Sequence, residues 1–549
     1  MKVLTAAEMQ ACDRVTVERY GVPSLKLMRS ASFAVAAIAR QLFSDAHRVL
    51  VLCGRGNNGG DGMMTARLLA EAGLQVNTIL LGAPDGLKGD AAAAWEELQA
   101  FAHAQRQQSS IHLVTSAEEF LPLNALLQAD LIIDALVGTG FQPPLRGLPL
   151  AALQWVEQGA REAKILAIDL PSGWSADISA DTAEGSPAFP ADAVVTFTAP
   201  KPAHVFGLLT RGLSDPVIIA PIGSPNEAII SNLGLHWSGS SKAIADVERP
   251  ANSNKGMYGH VLVIGGSSGK SGAPAMSSLA AMRSGAGLVT AAVTPSVLPL
   301  VAAIAPELMT HALAVNPDGE ISAGNLHPER LEALLKRITV LAIGPGLGTE
   351  PQTAEFVLGL LEQSRLSAVV DADGLNILAA NPNRIAAIAK GRTLVLTPHP
   401  GEMARLAGKK TAEIEADRIN IARDFATKYG LTLVLKGWRT LIAHPDGQIA
   451  VNTTGNPAMA KGGSGDLLTG MVAAMLAQHP HDVARAVETA VYLHGLAADI
   501  TVREPGIGGD QHTLLATDSL ANLYRAFHYH PQAENGYVWL QGISPDLGS

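Results

Sequence analysis

Residues 48–62 read RVLVLCGRGNNGGDG, a short apolar strand pattern running into a loop in which five of nine residues are glycine. A helical pattern, GDGMMTARLLAEAG, follows and ends at Gly73. Strand, glycine turn and helix in this order form the opening βα unit of a doubly wound sheet. Gly54, Gly56 and Gly59 keep the G-x-G-x-x-G spacing, and backbone amides at the start of the helix after Gly60 would receive a phosphate. Asn57, Asn58 and Asp61 go beyond an anion cradle. Amide and carboxylate oxygens suit a hard cation held beside that phosphate.

Outward from this loop, apolar runs alternate with helical patterns: QVNTILLG, ADLIIDALVG, AKILAIDLPSG, ADAVVTFT and DPVIIA. Alternation of this kind predicts a mainly parallel sheet covered by helices on both faces. The pattern dissolves over 224–252, rich in Ser, Asn and Gly, and restarts with GHVLVIGG, TVLAIGPGLG, SAVVDADGLN, TLVLTPHPGE and LTLVLKG. Asp446-Gly447 predicts a hairpin between TLIA and IAVN. The expected fold class is therefore α/β, with two tandem three-layer α/β/α domains. The expected boundaries are 1–223, a linker at 224–252, a second domain at 253–527 and an irregular tail at 528–549. Thr5 and Glu8 predict a capping box on the first helix.

The 549 residues exceed one ordinary core. A net charge of −10 without a long basic run excludes a nucleic-acid protein. Cys12 and Cys53 are the only cysteines, which excludes a disulfide scaffold and fits a reducing cytoplasm. Glu8 and Asp13 interrupt the N-terminus where a signal peptide needs an apolar stretch, and no run approaches the ~20 residues needed to span a bilayer. A soluble cytoplasmic protein is expected.

In such sheets ligands bind beyond the carboxyl ends of the strands. Asp134 ends LIIDA and Asp169 ends ILAID, so both converge on the glycine loop. An ordinary NAD dehydrogenase is disfavoured, because the strand after the loop ends ILLG without the expected ribose-binding acid. Asn58, Asp134 and Ser172 offer oxygens for a cation; equally, the asparagines cap the loop and Asp134 caps a turn.

GRGNNGGDG, DALVGTGF and DLPSGW, in that order over residues 1 to 220, resemble the NAD(P)HX epimerases, which implies a Rossmann-like first domain. The resemblance implies that Asn57, Asn58, Gly59, Gly60 and Asp61 bind the hydrated cofactor. It implies the same for Gly138, Thr139, Gly140, Phe141, Gln142, Pro143 and Pro144, with Asp169 also in contact. It further implies a potassium ion on Asn58, Asp134 and Ser172. Inverting the hydrated carbon needs one positioned carboxylate as acid and base. Asp169 is the candidate, with Asp61 as the alternative.

In the second half, GGSSGKS at 265–271 falls one residue short of a P-loop. It also meets the G-x-S-x-G pattern of a hydrolase elbow, a weak match in a glycine-rich chain. The stronger signal is NTTGNPAMAKGGSGDLLTG at 452–470. Its glycines precede a helix starting near Asp466, an anion hole with a carboxylate placed to take a hydroxyl proton.

YGHVLVIGGSSGKSGAPAMSS, GPGLG, DADGLN, TPHPGE, KGWRT and GGSGD span about 250–505 and resemble the ribokinase-like ADP/ATP-dependent NAD(P)HX dehydratases. The resemblance implies nucleotide binding by Lys436, Gly437, Trp438, Arg439, Thr440 and Gly465. It places Ala273, Gly348, His399 and Asp466 at the hydrate, with Asp466 as the catalytic base. His399 has a second reading as a loop residue between prolines. Asp371 and Asp373 either end a strand or shape the pocket.

The expected protein repairs NADHX and NADPHX with two heads, an epimerase using K+ and a dehydratase using ADP with Mg2+. A homo-oligomer is expected. The alternatives are a small-molecule kinase of a vitamin-precursor alcohol fused to a nucleotide-binding module, and a non-catalytic first domain. A stable phosphorylated product marks the former; tight hydrate binding without loss of chirality marks the latter.

Overall fold

The computed structural model describes residues 1–178, 186–503 and 510–545. They divide into two units, Met1–Leu233 with His530–Ser549, and Gly234–Tyr529.

The first unit is built on β1 (Arg48–Cys53), β2 (Gln75–Leu81), β3 (Ser109–Val114), β4 (Leu131–Ala135), β5 (Lys164–Ile168), β6 (Ala193–Phe197), β7 (Val217–Ala220) and the C-terminal strand Val538–Gln541. The spatial order is C-terminal strand, β7, β6, β5, β4, β1, β2, β3. Every pair is parallel except the C-terminal strand on β7. β1 is apolar on both faces because helices cover both. Val49, Val51 and Cys53 pack with Val35, Met63 and Leu69 on one side. Leu50 and Leu52 pack with Phe120, Leu153 and Trp155 on the other. The winding reverses between β1 and β4, which opens the crevice at their carboxyl ends. The Thr5–Glu8 capping box forms as expected, Thr5 N donating to Glu8 Oε2 at 2.9 Å and Glu8 N to Thr5 Oγ1 at 3.1 Å.

The second unit carries β8 (Leu235–Trp237), β9 (His260–Ile264), β10 (Leu288–Val293), β11 (Met309–Ala312), β12 (Val340–Ile343), β13 (Ser367–Val370), β14 (Leu394–Leu396), β15 (Thr432–Leu435), β16 (Leu441–Ala443) and β17 (Ile449–Val451). Their order is β11, β10, β9, β12, β13, β14, β15, β16, β17, β8. The β16–β17 hairpin turns at Asp446-Gly447 as the sequence predicts. Winding reverses between β9 and β12. The helix Ser464–Gln478 lies against Gly272–Arg283 so closely that a Cβ on Gly470 would sit 2.0 Å from the Ser277 carbonyl oxygen.

Two stretches differ from the sequence reading. Part of the segment read as linker is β8, which pairs in parallel with β17 and buries Trp237, whose Nε1 donates to Thr453 Oγ1 at 2.8 Å. The tail read as irregular holds the strand Val538–Gln541, with Trp539 in the first core. Both strands have only three or four residues and pair with partners far along the chain. No local alternation or turn announces them.

Candidate active sites

In the first unit the glycine loop leaves β1 and enters the helix Asn57–Glu71, whose N-cap is Gly56. The helix thus starts earlier than the sequence reading, and Asn57, Asn58, Gly59, Gly60 and Asp61 form its first turns. Gly54 is required by close approach: a Cβ there would stand 2.0 Å from the Leu136 carbonyl oxygen. A cleft of about 1290 Å³ opens here. Asn57, Asn58, Asp61, Gly138, Thr139, Gly140, Phe141, Asp169 and Lys201 line it, with Gln10, Asp13 and Arg14 from the first helix. Gln142, Pro143 and Pro144 lie outside that lining, as do the buried Gly59 and Gly60.

Asp169 follows β5 in the left-handed region at φ +66°, a conformation that costs a non-glycine residue about 1–3 kcal/mol. Four donors hold it there. Thr139 N donates to Oδ2 at 2.9 Å and Thr139 Oγ1 donates to the same oxygen; Thr196 Oγ1 and Lys201 Nζ donate to Oδ1 at 2.9 and 2.8 Å. Burial would raise its pKa, but Lys201, His204 and these hydrogen bonds outweigh burial and hold the carboxyl well below the usual range. His204 accepts from Lys201 N at Nδ1 (3.0 Å), so its Nε2 donates to the Asp169 carbonyl at 2.7 Å. Asp61 is pushed the other way, well above the usual range, by burial and by Asp169, Asp13 and Asp90. Asp13 rises to about 6 by burial, against the pull of Lys201. The cleft therefore pairs a carboxyl whose pKa is held down with one whose pKa is pushed up.

Asp134 is fully buried: its Oδ1 accepts from Ser172 Oγ at 2.6 Å and its Oδ2 from Ser172 N at 2.7 Å. Burial pushes it up to about 6 against those hydrogen bonds. Asn58 Nδ2 is buried without a hydrogen-bond partner among the described residues. A Cβ on Gly138 would lie 3.2 Å from both Asn58 Oδ1 and Asp169 Oδ2, so these two residues flank one glycine. Hydrogen bonds join Asp134 to Ser172, while Asn58 stands beside Gly138 and Asp169; amide, carboxylate and hydroxyl oxygens are the donor types a hard cation takes.

In the second unit Asp466 occupies the first turn of Ser464–Gln478, behind Gly463 at φ +96°. Burial and then Asp371 raise it to about 6, against Lys436. Lys436 Nζ donates to Asp371 Oδ1 at 2.8 Å and lies 3.8 Å from Glu402 Oε2. Asp371 Oδ2 accepts from Thr469 Oγ1 at 2.8 Å, which ties the end of β13 to the helix Ser464–Gln478. A Cβ on Gly465 would stand 3.4 Å from Lys436 Nζ, so these two predicted nucleotide residues share one spot.

The remaining residues divide. Gly348 N donates to Asp373 Oδ2 at 2.9 Å, and Lys270 Nζ pairs with the same oxygen at 3.3 Å. Ala273 stands beside them, 3.3 Å from a Cβ built on Gly346. His399 caps the helix Pro400–Ala407: its Nδ1 accepts from Gly401 N and Glu402 N, while its Nε2 faces Glu402 Oε1 at 3.4 Å. Half its side chain stays exposed toward solvent. Gly437, Trp438 and Thr440 form the β15–β16 turn, and Thr440 Oγ1 donates to Gly437 O at 3.1 Å. Arg439 turns inward, buried over the Trp438 ring and donating to Thr453 O at 2.8 Å.

Sequence reasoning missed Lys201, His204 and Asp13, and made no assignment for Asp371. Lys201 stood in plain view in APKPAH, just past β6, where a cation beyond a strand end signals a ligand or an acid partner.

A family model described as NAD(P)H-hydrate dehydratase matches residues 261–519, and one described as YjeF-related protein N-terminus matches 24–203. The bifunctional NAD(P)H-hydrate repair enzyme Nnr of Moorella thermoacetica is 40% identical over 534 residues, 95% of each chain. The protein of the same name from Escherichia coli K12 is 35% identical over 538 residues, 95% of this chain and 93% of that one. A crystal structure of ADP/ATP-dependent NAD(P)H-hydrate dehydratase from Bacillus subtilis, co-crystallized with ATP/Mg2+, is 34% identical and covers 52% of this chain and 96% of that chain, at a TM-score of 0.45. With both halves matched and these relatives aligned over 95% of its length, the chain belongs to the family of bifunctional NAD(P)H-hydrate repair enzymes.

Proposed function

We propose that the first unit interconverts the R and S hydrates of NADH and NADPH, and that the second unit returns the S hydrate to the reduced coenzyme at the expense of an adenine nucleotide, ADP by the resemblance. The opposite pKa shifts of Asp61, pushed up, and Asp169, held down, in one cleft carry the first half. Two carboxyls whose surroundings push their pKa values apart divide acid and base work. Protonated Asp61 delivers a proton to the departing C6 hydroxyl. Ionised Asp169 faces the cationic ring that remains, and water returns to either face. Asn58, Asp134 and Ser172 would hold potassium, which offsets the charge of a bound phosphate.

In the second unit Asp466 takes the proton of the C6 hydroxyl as its oxygen attacks the terminal phosphoryl group. The helix N-terminus behind Gly462–Gly465 and the Lys436 ammonium stabilise the charge of that transfer. The nucleotide arrives as its Mg2+ complex. The C6–O bond then breaks with phosphate, a far better leaving group than hydroxide, and a proton leaves the neighbouring carbon to restore the ring double bond. Separated R and S hydrates, given to the protein with ADP or ATP, test this reading. Reduced nicotinamide should reappear only with nucleotide, and one phosphate should be released per coenzyme. Regeneration without nucleotide turnover overturns it.

A further inference from the structure

Away from either cleft, two imidazoles aim at one carboxylate oxygen. His236 Nε2 and His444 Nε2 each lie 2.9 Å from Glu488 Oε1. All three ligand atoms fall within 4.8 Å of one another. The imidazole rings are nearly parallel, 18° apart with centroids 6.5 Å distant. His236 lies on β8, His444 directly follows β16, and Glu488 sits on the helix Val483–Arg503. Because β15 and β16 are antiparallel neighbours joined by Lys436–Thr440, His444 stands at the far end of β16 from that loop. The cluster is separate from the phosphoryl-transfer site.

We propose that His236, His444 and Glu488 form a binding site for a borderline divalent transition metal of the zinc class. Two imidazoles and one carboxylate make the donor set, and a water completes a tetrahedron. With metal–ligand bonds of ~2.0–2.2 Å, tetrahedral ligands stand roughly 3.3 Å apart. The N···O separations of 2.9 Å open to this by a fraction of an ångström. Glu488 is 2% exposed and His444 6%, whereas His236 is 24% exposed, which leaves the fourth position open to solvent on the His236 side. Ser241 Oγ donates to the other Glu488 oxygen at 2.5 Å, the kind of outer contact that orients ligating carboxylates. A metal takes each imidazole through Nε2, with the ring proton on Nδ1. Such an ion fastens the short edge strand β8 to the hairpin and to the long helix.

The test uses the full, untagged chain, stripped with a chelator and titrated with Zn2+ against a chromophoric competitor, and with Co2+ for its visible spectrum. One Zn2+ per chain and a four-coordinate cobalt spectrum are expected. His236→Asn, the least buried change, should abolish both. Ser241→Ala should weaken binding by ~10–100-fold. Saturating Zn2+ should raise Tm by about 5 °C in the parent and not in His236→Asn. Coenzyme regeneration in His236→Asn verifies its fold; if that variant fails to fold, the Ser241→Ala titration decides. No stoichiometric binding in the parent, or binding that these substitutions leave unchanged, overturns the proposal.

Discussion

Lys201 Nζ lies 2.8 Å from Asp169 Oδ1, and both side chains are buried. The pair keeps a strained backbone and an ionised acid in place at once. Removing one partner of a buried pair leaves an uncompensated charge and costs about 3–5 kcal/mol. Lys201→Met should therefore lose epimer exchange and destabilise the first unit, while leaving S-hydrate repair intact. The acid limb changes too. Asp169 has a depressed folded pKa, so its contribution to stability is present above the unfolded value near ~3.9 and is lost as pH falls below it. Denaturant titrations from neutral to acid pH should show this loss in the parent and not in Lys201→Met.

Asp61 makes the complementary case. Burial and three neighbouring acids push its pKa well above the usual range, so Asp61→Asn keeps the shape of the neutral acid while removing its transferable proton. Epimer exchange should fall by ~10²–10⁴-fold, the usual worth of a general acid, with Tm nearly unchanged. Full exchange in this variant moves the acid elsewhere, to Asp13 first.

Where a candidate residue lies at a strand end or in the loop directly after it, its place at the rim of the sheet was legible in the sequence. Gly54, Asp134 and Asp169 each sit where an apolar run stops, and the parallel sheet carries all such stops to one rim. Lys201 was not legible. Its partner lies 32 positions earlier, and their meeting depends on β5 and β6 being neighbours, which pattern alone does not give. The same holds for Asp371, whose role emerges only when β13 and the Ser464–Gln478 helix are brought together by Thr469. His399 shows the reverse: its capping geometry is local, yet its short motif was read first as a contact to the hydrate and only second as a loop residue.

The C-terminal strand yields a stability prediction. Trp539 is 4% exposed and belongs to the core that also holds β1 and β6 residues. Trp539→Ala should cost the first unit about 3–5 kcal/mol. On heating, epimer exchange should be lost several degrees before coenzyme regeneration. Simultaneous loss of both activities would deny the tail its place in the first core.

The oxygen set Asn58, Asp134 and Ser172 predicts ion dependence. Replacing K+ by Li+, which binds its hydration water more tightly, should slow epimer exchange and leave nucleotide-dependent dehydration unaffected. Asp134→Asn should abolish the K+ response; exchange rates that ignore the monovalent cation would remove potassium from the site.

Asp466 is raised to about 6 by burial and then by Asp371. As a base it works ionised, so dehydration should rise with pH through about 6. Stability runs the opposite way. The folded pKa exceeds the unfolded value near ~3.9, so the folded state holds the extra proton between them and stability falls as pH rises across that window. Discounted for partial exposure, the ionised group costs on the order of 1 kcal/mol at neutral pH. Asp466→Asn should gain about that much stability while losing coenzyme regeneration and keeping epimer exchange. Asp371→Asn separates position from chemistry. It removes the like charge beside Asp466 and the anchor of Lys436, so the midpoint of the pH–rate curve should move to lower pH and KM for the nucleotide should rise. If the midpoint stays in place while the rate alone drops, Asp371 merely holds the fold and some other group sets the proton affinity of Asp466.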